Sequence, residues 1–418
     1  MAVDKIPVIE GGTTPVRSKF LPFGRPQITE EDIKITADIM RTGWLSTGNR
    51  TKEFEIVFME YLRKYGEGLA LNSCTAALHL ALECLDLQPG DEVITTDMTF
   101  AATANTIIHA GGKPVLVDCD RDTCNITLEA IQQAVTPKTR AVIIVHFAGL
   151  VIQEDIWTWC RKNNLKLIED RAHAIEASGN HGVGDFMCFS FYGTKNMTTA
   201  IGEGGFLYCK DKEDGARARM LSLHGMSKNA AMRYSKDGFK HYEILDAGFK
   251  YNMTDVAAGV ALNQLRRIKP NWDRRRSVWH TYCAALSNLP LVMPYNPPAK
   301  TYTSSMFCCE AGHTPIKYEW VDHAYHLFAV KLKLEQLRVD RDKVLDALTK
   351  EGIGCGVHYM ALHTHPFYQK MGYDKDQFPN AQWISERTLS LPFDAALTDA
   401  DVQDVIKAVK KVLTFYEV

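Results

Sequence analysis

The chain has 418 residues, with 48 Lys+Arg against 50 Asp+Glu and a formal net charge of -2. Hydrophobic residues make up 46% and charged residues 23%, the balance of an ordinary globular protein, and the length has room for two or three domains. Near-neutral charge removes the electrostatic case for a nucleic-acid binder, and the longest apolar stretch, AVIIVHFAGLVI, is shorter than the roughly 20 residues a membrane span needs.

Residues 1–28 are rich in Gly and Pro and read as an extended arm. Thr29 is placed to cap a helix whose Ile33, Thr36, Ala37 and Met40 follow helical spacing and which Gly43 ends. From about residue 66 the pattern alternates. ALHLALECLDL reads as a buried helix, EVITT and KPVLVD as strands, TLEAIQQAV as a helix, and RAVIIVHF as a fully apolar strand. QEDIWTWCRKNN follows as a helix, then LKLIED, MCFSFY and GGFLYC as strands. Such alternation predicts an α/β domain over 29–269, with a mostly parallel sheet flanked by helices and ligands bound at the carboxyl ends of its strands. Residues 210–245 read as a polar loop region, and DVAAGVALNQLRRI as a helix leading to Pro270. From 270 to 418 the character changes: HLFAVKL as a strand, RDKVLDALTKEG and DADVQDVIKAVKKVLTFY as helices. This predicts a smaller C-terminal α+β domain. The 11 cysteines are odd in number, without C-x-x-C spacing, and several lie in apolar runs. With no apolar leader in MAVDKIPVIEGG, buried reduced thiols in a cytoplasmic protein are expected.

Four stretches carry candidate chemistry. In FSFYGTKN an apolar strand ends just before Lys195, where partial desolvation would favour the neutral, nucleophilic amine; alone, a surface lysine in a turn is the commoner reading. In LKLIEDRAHA, Asp170 ends a strand and can pair with a pyridinium nitrogen, or merely cap a following helix. In LNSCTAALHLAL, small polar residues open a helix whose free N–H groups suit a phosphate. In TTDMTFAATAN, Phe100 follows a strand, placed to stack on a flat ring or to fill the core. Taken together, these are the parts pyridoxal 5'-phosphate requires: a phosphate cradle, a ring stacker, an acid for the ring nitrogen and an amine for the aldehyde. The histidines of HYMALHTH and HAYH have no carboxylate or cysteine cluster beside them, so no metal is expected.

The sequence resembles the DegT/DnrJ/EryC1/StrS family of sugar aminotransferases, within fold-type I of the PLP-dependent transferases. The resemblance runs through GWLSTG (43–48), NSCTAALHLAL (72–82), PGDEVITTDMTFAATAN (89–105), VDCD (117–120), EDRAHA (169–174), SFYGTKNMTT (190–199), GEGG (202–205), KYNMTD (250–255), VHYMALHTHPFY (357–368) and SERTLSLP (385–392). It implies that Lys195 binds the cofactor aldehyde, that Asp170 bonds the pyridine nitrogen, and that His173 lies near the ring. It further implies that Phe100 stacks on the ring and that Cys74, Thr75 and Ser190 hold the phosphate. Asn252 would reach the phosphate from a neighbouring subunit, making a homodimer with shared sites. Trp44, Ser46, Arg171, His358, Tyr359 and His363 are the candidates for contacting substrate. Arg171 stands where the family usually has a small residue, the run between Lys195 and the double glycine is longer by about two residues, and AGLVIQEDI lacks the family's Pro-Asp pair.

The implied activity is ping-pong transfer of an amino group from L-glutamate, through the pyridoxamine form of the cofactor, to a keto-sugar carried on a nucleotide. A cyclitol ketone, an unlinked keto-sugar acid, or a lyase or dehydratase of the same fold are the alternatives. A non-catalytic regulator would be expected to have lost Lys195.

Overall fold

In the computed structural model, residues 5–151, 154–177, 184–227, 234–235, 238–239, 241–297, 302–303, 319–320 and 323–418 are described. Helix α1 (Glu30–Thr42) begins at a capping box in which Thr29 and Asp32 satisfy each other's backbone N–H, and ends at Gly43 in the left-handed conformation. Helix α2 (Asn49–Leu62) and strand β1 (Glu67–Leu71) follow. Then come α3 (Cys74–Glu83), β2 (Glu92–Thr96), α4 (Ala101–His109), β3 (Lys113–Val117), α5 (Leu128–Ala134), β4 (Thr139–Val145), α6 (Glu154–Lys162), β5 (Lys166–Asp170), β6 (Phe186–Ser190), β7 (Gly205–Cys209) and α7 (Lys212–Leu221).

The seven strands form one sheet in the order β1-β7-β6-β5-β4-β2-β3. Strands β2 to β6 run parallel, and β7 pairs antiparallel with both β6 and β1. The expected mostly parallel α/β sheet is therefore present. One face packs on α3 through Leu78 and Leu82, the other on α2 through Phe54 and Phe58 and on α5 and α6 through Ile131 and Trp157. Covering both faces is why the central strands are apolar throughout.

Helices α8 (Asp255–Arg266) and α9 (Ile268–Leu286) lead out of the sheet layer. Pro270 lies in the first turn of α9, where its missing N–H has no helical partner to lose. Trp279, Tyr282 and Leu286 of α9 enter a second core. There β8 (Leu291–Val292), β9 (Phe328–Leu332) and β10 (Thr388–Leu391) form an antiparallel sheet, packed by α10 (Arg341–Lys350) and the closing helix α13 (Asp399–Tyr416). Two further helices, α11 (Pro366–Lys370) and α12 (Pro379–Arg387), lie between α10 and β10.

The N-terminal arm docks on this second core. Leu21 is buried and donates its N–H to the Gly352 carbonyl at 2.9 Å, and Arg17 donates to Asp401 at 2.8 Å and Asp404 at 3.0 Å. Segment 210–245, expected as loop, contains α7. Half of its sequence KEDGARARML is charged, and it buries only Gly215, Ala218 and Leu221, too thin a stripe to register as helical periodicity. Among the described residues no helix is long and apolar enough to cross a membrane.

Candidate active site

The site is built where β2, β5 and β6 end. Beyond Ser190 the chain turns, Phe191 N–H bonding to Gly204 O at 2.9 Å and Lys195 N–H to Tyr192 O at 2.8 Å. These bonds hold Lys195 half-buried in front of the sheet. Burial lowers the Lys195 ammonium from its ordinary value to about 8, against the opposing pull of Asp170 and Cys74.

Asp170 closes β5 with its carboxylate buried. One oxygen accepts from the Thr103 hydroxyl at 2.9 Å, the other from the Ala172 N–H at 3.1 Å with Cys74 Sγ at 3.9 Å. Burial pushes the Asp170 carboxyl up, and these donors together with Lys195 only partly restrain it. Residues 171–177 form turns, so the helix that Asp170 would otherwise cap is absent.

His173 follows in that turn, with Nε2 3.0 Å from the Tyr359 hydroxyl and its ring 4.4 Å from that of His326. His173 and His326 are held well below the ordinary histidine value by burial and then by the Lys195 charge. The same two causes bring His358 down to about 3, while its Nδ1 lies 2.9 Å from Ser390 Oγ. Three neutral imidazoles thus surround one amine. Phe100, at the N-terminus of α4, is 63% exposed with its ring 6.2 Å from that of Tyr359. It is not the core residue that an isolated phenylalanine usually is.

A polar corner lies beside this cluster. Ser73 caps α3 by accepting from the Ala76 N–H at 3.1 Å, leaving Cys74 and Thr75 at the helix tip. Ser190 pairs in register with Gly205, whose backbone lies against the Ser73–Cys74 peptide. Cys74 and Thr75 of α3 and Ser190 of β6 are therefore brought to one corner.

Two candidate substrate contacts are corrected. Arg171 is buried, its Nε and Nη2 both on Glu169 Oε2 at 2.9 and 2.7 Å and its Nη1 on Ala177 O at 3.1 Å. Glu169 also takes His146 Nε2 at 2.8 Å and the Gly184 N–H at 2.6 Å. Burial alone would push this carboxyl up, but Arg171, then His146 and the Gly184 N–H, hold it at about 2. A guanidinium so engaged is a structural counter-ion, because alternation along the strand points Glu169 and Asp170 to opposite faces of the sheet. His363 is likewise buried, with Nδ1 2.5 Å from Asp97 Oδ2 and Nε2 2.8 Å from Gln382 Oε1. Both ring nitrogens are occupied, so His363 ties 357–368 to the loop after β2 and offers nothing to a substrate.

Trp44, Ser46 and Asn252 form a second cluster. The loop between α1 and α2 is pinned by Asp255, which accepts from the Gly48 N–H at 2.7 Å and the Thr51 hydroxyl at 2.7 Å. Asn252 donates to Thr47 Oγ1 at 2.6 Å and bridges the backbone of Leu71 at the end of β1. Trp44 and Ser46 are exposed, and among the described residues no hydrogen bond or ring contact joins them to the Lys195 cluster.

Sequence reasoning missed Thr103, Asn196, Glu176 and the role of His326. Thr103 stands one helical turn after Phe100, a spacing that was readable. The other three meet only through the fold. Among the described residues no group of three or more His, Cys, Asp or Glu side chains is arranged to hold a metal ion.

Comparison with known proteins places these observations. The model of the DegT/DnrJ/EryC1/StrS aminotransferase family matches residues 26–410. The chain is 41% identical over 406 residues to the uncharacterized protein MJ1066 of Methanocaldococcus jannaschii, covering 96% of this chain and 99% of that one. It is 39% identical over 404 residues to the spore coat polysaccharide biosynthesis protein SpsC of Bacillus subtilis, covering 95% and 98%. Among solved structures, the putative sugar aminotransferase Spr1654 from Streptococcus pneumoniae, in its PMP form, superposes with a TM-score of 0.81 at 31% identity, covering 94% and 99%.

Proposed function

The chain belongs to the DegT/DnrJ/EryC1/StrS aminotransferase family, and from that premise we propose that it moves an amino group from L-glutamate to a nucleotide-linked keto-sugar in a ping-pong cycle. It is a PLP-dependent aminotransferase of the fold-type I class, acting in amino-sugar biosynthesis.

The residues of the site fit pyridoxal phosphate. His173 Nδ1 and Asn252 Oδ1 are buried and without a hydrogen-bond partner among the described residues. Asp170 is a buried carboxylate restrained mainly by neutral donors, an arrangement that a pyridinium N–H would complete. When bound, the cofactor supplies an aldehyde that takes up amino groups and a ring that accepts an electron pair.

Each residue then has a task. Lys195 provides the amine for the aldehyde and moves a proton between donor carbon and cofactor carbon, for which a lowered pKa suits it. Asp170 stays ionised and holds the ring-nitrogen proton. Phe100 would cover one face of the ring, and His173, held by Tyr359 through its Nε2, would bound it. Cys74 and Thr75, at the tip of α3, and Ser190 receive the phosphate where unbonded helix N–H groups favour an anion. His358 and Tyr359 border the substrate.

Asn252, with Trp44 and Ser46 on the adjoining loop, completes the site of a second copy in a homodimer. The 29–269 unit carries the cofactor and the 270–418 unit closes over it. Free, buried thiols are consistent with a cytoplasmic setting.

The observation that carries this function is the placing of the half-buried Lys195 amine near the buried Asp170 carboxylate, close enough for each charge to act on the other, where the adjacent strands β5 and β6 give way to loops. The test is to supply purified protein with PLP and L-glutamate, then with a panel of keto-sugars with and without a nucleotide, and follow products by mass. Glutamate-dependent amination of the nucleotide-linked compounds is expected. Amination confined to a cyclitol ketone or a free sugar acid would replace the proposed substrate class. Consumption of glutamate without formation of an amine would overturn transamination. For the shared site, mixing Lys195→Ala with Asn252→Ala protein should restore activity that neither has alone; no restoration would mean that each chain builds its site by itself.

A further inference from the structure

A buried polar chain runs away from the site behind Lys195. Arg275, on α9, pairs with Glu176 and donates from Nε to Tyr325 O at 2.9 Å. The other oxygen of Glu176 accepts from Asn196 Nδ2 at 2.7 Å, and the same Nδ2 reaches Ala324 O at 3.3 Å. Asn196 Oδ1 lies 2.8 Å from His326 Nδ1, and the His326 ring stands over that of His173. All four side chains come from different elements, and Glu176, Arg275 and His326 are buried.

The hydrogen-bond polarity of this chain is fixed from its far end. Burial pushes the Glu176 carboxyl up and Arg275 pulls it back; a guanidinium only donates, so the oxygen it pairs with is an acceptor, and the buried pair is complete with Glu176 as the carboxylate. A carboxylate and a backbone carbonyl only accept, so the Asn196 amide must direct its NH2 at both of them and its oxygen at His326. An amide oxygen cannot donate, so His326 must carry its proton on Nδ1. We propose that Glu176 is a positioning residue that, through Asn196, locks His326 in the Nδ1–H form and leaves its Nε2 as a bare acceptor beside the reacting amine.

The consequence is local. A neutral imidazole that can accept but not donate adds no positive charge next to Lys195, and it favours an N–H group approaching from the cofactor side. Reversing it would turn that acceptor into a donor. The effect on turnover rests on Lys195 being the reacting amine. The tautomer does not, and it is measurable in the protein without cofactor or substrate.

The test is ring-nitrogen NMR on protein labelled with [15N]histidine, with the His326 signals assigned by their loss in His326→Gln. Wild type should show a protonated Nδ1 and an unprotonated Nε2 for His326. In Glu176→Gln the guanidinium claims the new amide oxygen, so the amide NH2 faces Asn196; that contact favours turning the Asn196 oxygen toward it and its NH2 toward His326, with only the longer 3.3 Å contact to Ala324 O opposing. The protonated and unprotonated signals should then exchange places, and kcat should fall by about tenfold, the effect of one hydrogen bond reversed. Asn196→Ala leaves the Glu176–Arg275 pair intact and should leave His326 exchanging between both forms. An Nε2–H wild type, or an unchanged Nδ1–H signal in either folded variant, would overturn the proposal. A normal tautomer response with no loss of amino transfer would leave Glu176's control of His326 standing and tell instead against Lys195 as the amine it serves.

Discussion

Gly205 and Ser73 approach so closely that a β-carbon on the glycine would lie 2.3 Å from the Ser73 carbonyl carbon and oxygen, and 2.6 Å from Cys74 N. Gly205 is the first residue of β7 and pairs with both Leu71 and Ser190, so the tip of α3 rests directly on the sheet. All the atoms it would meet are backbone, which cannot swing aside. Gly205→Ala should therefore shift the α3 tip away from Ser190, at an overpacking cost of about 1–3 kcal/mol. Titration with PLP should show affinity reduced at least tenfold in a chain that still melts cooperatively. Unchanged affinity would mean that this corner does not hold the phosphate.

Lys195 should also show itself through pH. Only the neutral amine attacks an aldehyde, and with a value of about 8 roughly one Lys195 in ten is neutral at pH 7. The rate at which the cofactor-free protein captures PLP should rise through pH 8 and level off above it. Stopped-flow absorbance between pH 6.5 and 9.5 follows this directly. A rate still climbing at pH 9.5 would mean that Lys195 behaves as an ordinary surface lysine. Lys195→Ala should abolish turnover and leave the melting curve in place.

Much of this site was legible in the sequence because its parts follow strand ends. EVITT, LKLIED and MCFSFY each read as buried strands; Asp170 is the last residue of its strand, and Phe100 and Lys195 follow theirs within a short turn. Helix tips were equally readable, since Thr29 and Ser73 cap as their residue types predict. What resisted reading was partnership over distance. Arg171 follows Asp170 in sequence, yet its partner is Glu169 on the opposite face, and His146, which shares that carboxylate, follows the end of β4. His363 lies in a histidine-rich run that looks like a ligand surface, and only tertiary packing brings Asp97 and Gln382 to its two nitrogens. Helices α2 and α7 differ in how readable they were: α2 has Phe54, Phe58, Tyr61 and Leu62 at helical spacing and could have been found, whereas half of α7 is charged and its apolar stripe is thin.

The Glu169–Arg171 pair leads to a prediction about stability. Both side chains are buried, so Arg171→Ala would leave Glu169 charged in the interior with His146 as its remaining side-chain partner. Breaking a buried pair from one side costs about 3–5 kcal/mol. Urea denaturation should show a loss of this size. Because Arg171 faces away from the Lys195 cluster, KM for the sugar should stay within about twofold in whatever protein remains folded, well below the tenfold that one lost hydrogen bond would give. A large rise in KM with stability unchanged would return Arg171 to the substrate pocket.

His363 and Asp97 make stability depend on pH in the neutral range. Burial opposes a charge on His363, but the Asp97 carboxylate and then Gln382 Oε1 both accept from its ring, and together they raise its pKa above the ordinary 6.5. Asp97 is itself pushed up by burial and pulled down by His363. The imidazolium is the form to rely on, because both nitrogens face acceptors and a neutral ring can donate only once. A raised histidine pKa stabilises the fold fully below the unfolded value near 6.5 and ceases to do so as pH rises through the folded value. In His363→Gln that contribution is gone at every pH. The gap in melting temperature between wild type and His363→Gln should thus be widest near pH 6 and narrow progressively toward pH 9. A gap that stays constant across this range would mean that His363 is neutral in the folded protein and that the tie to Asp97 is an uncharged hydrogen bond.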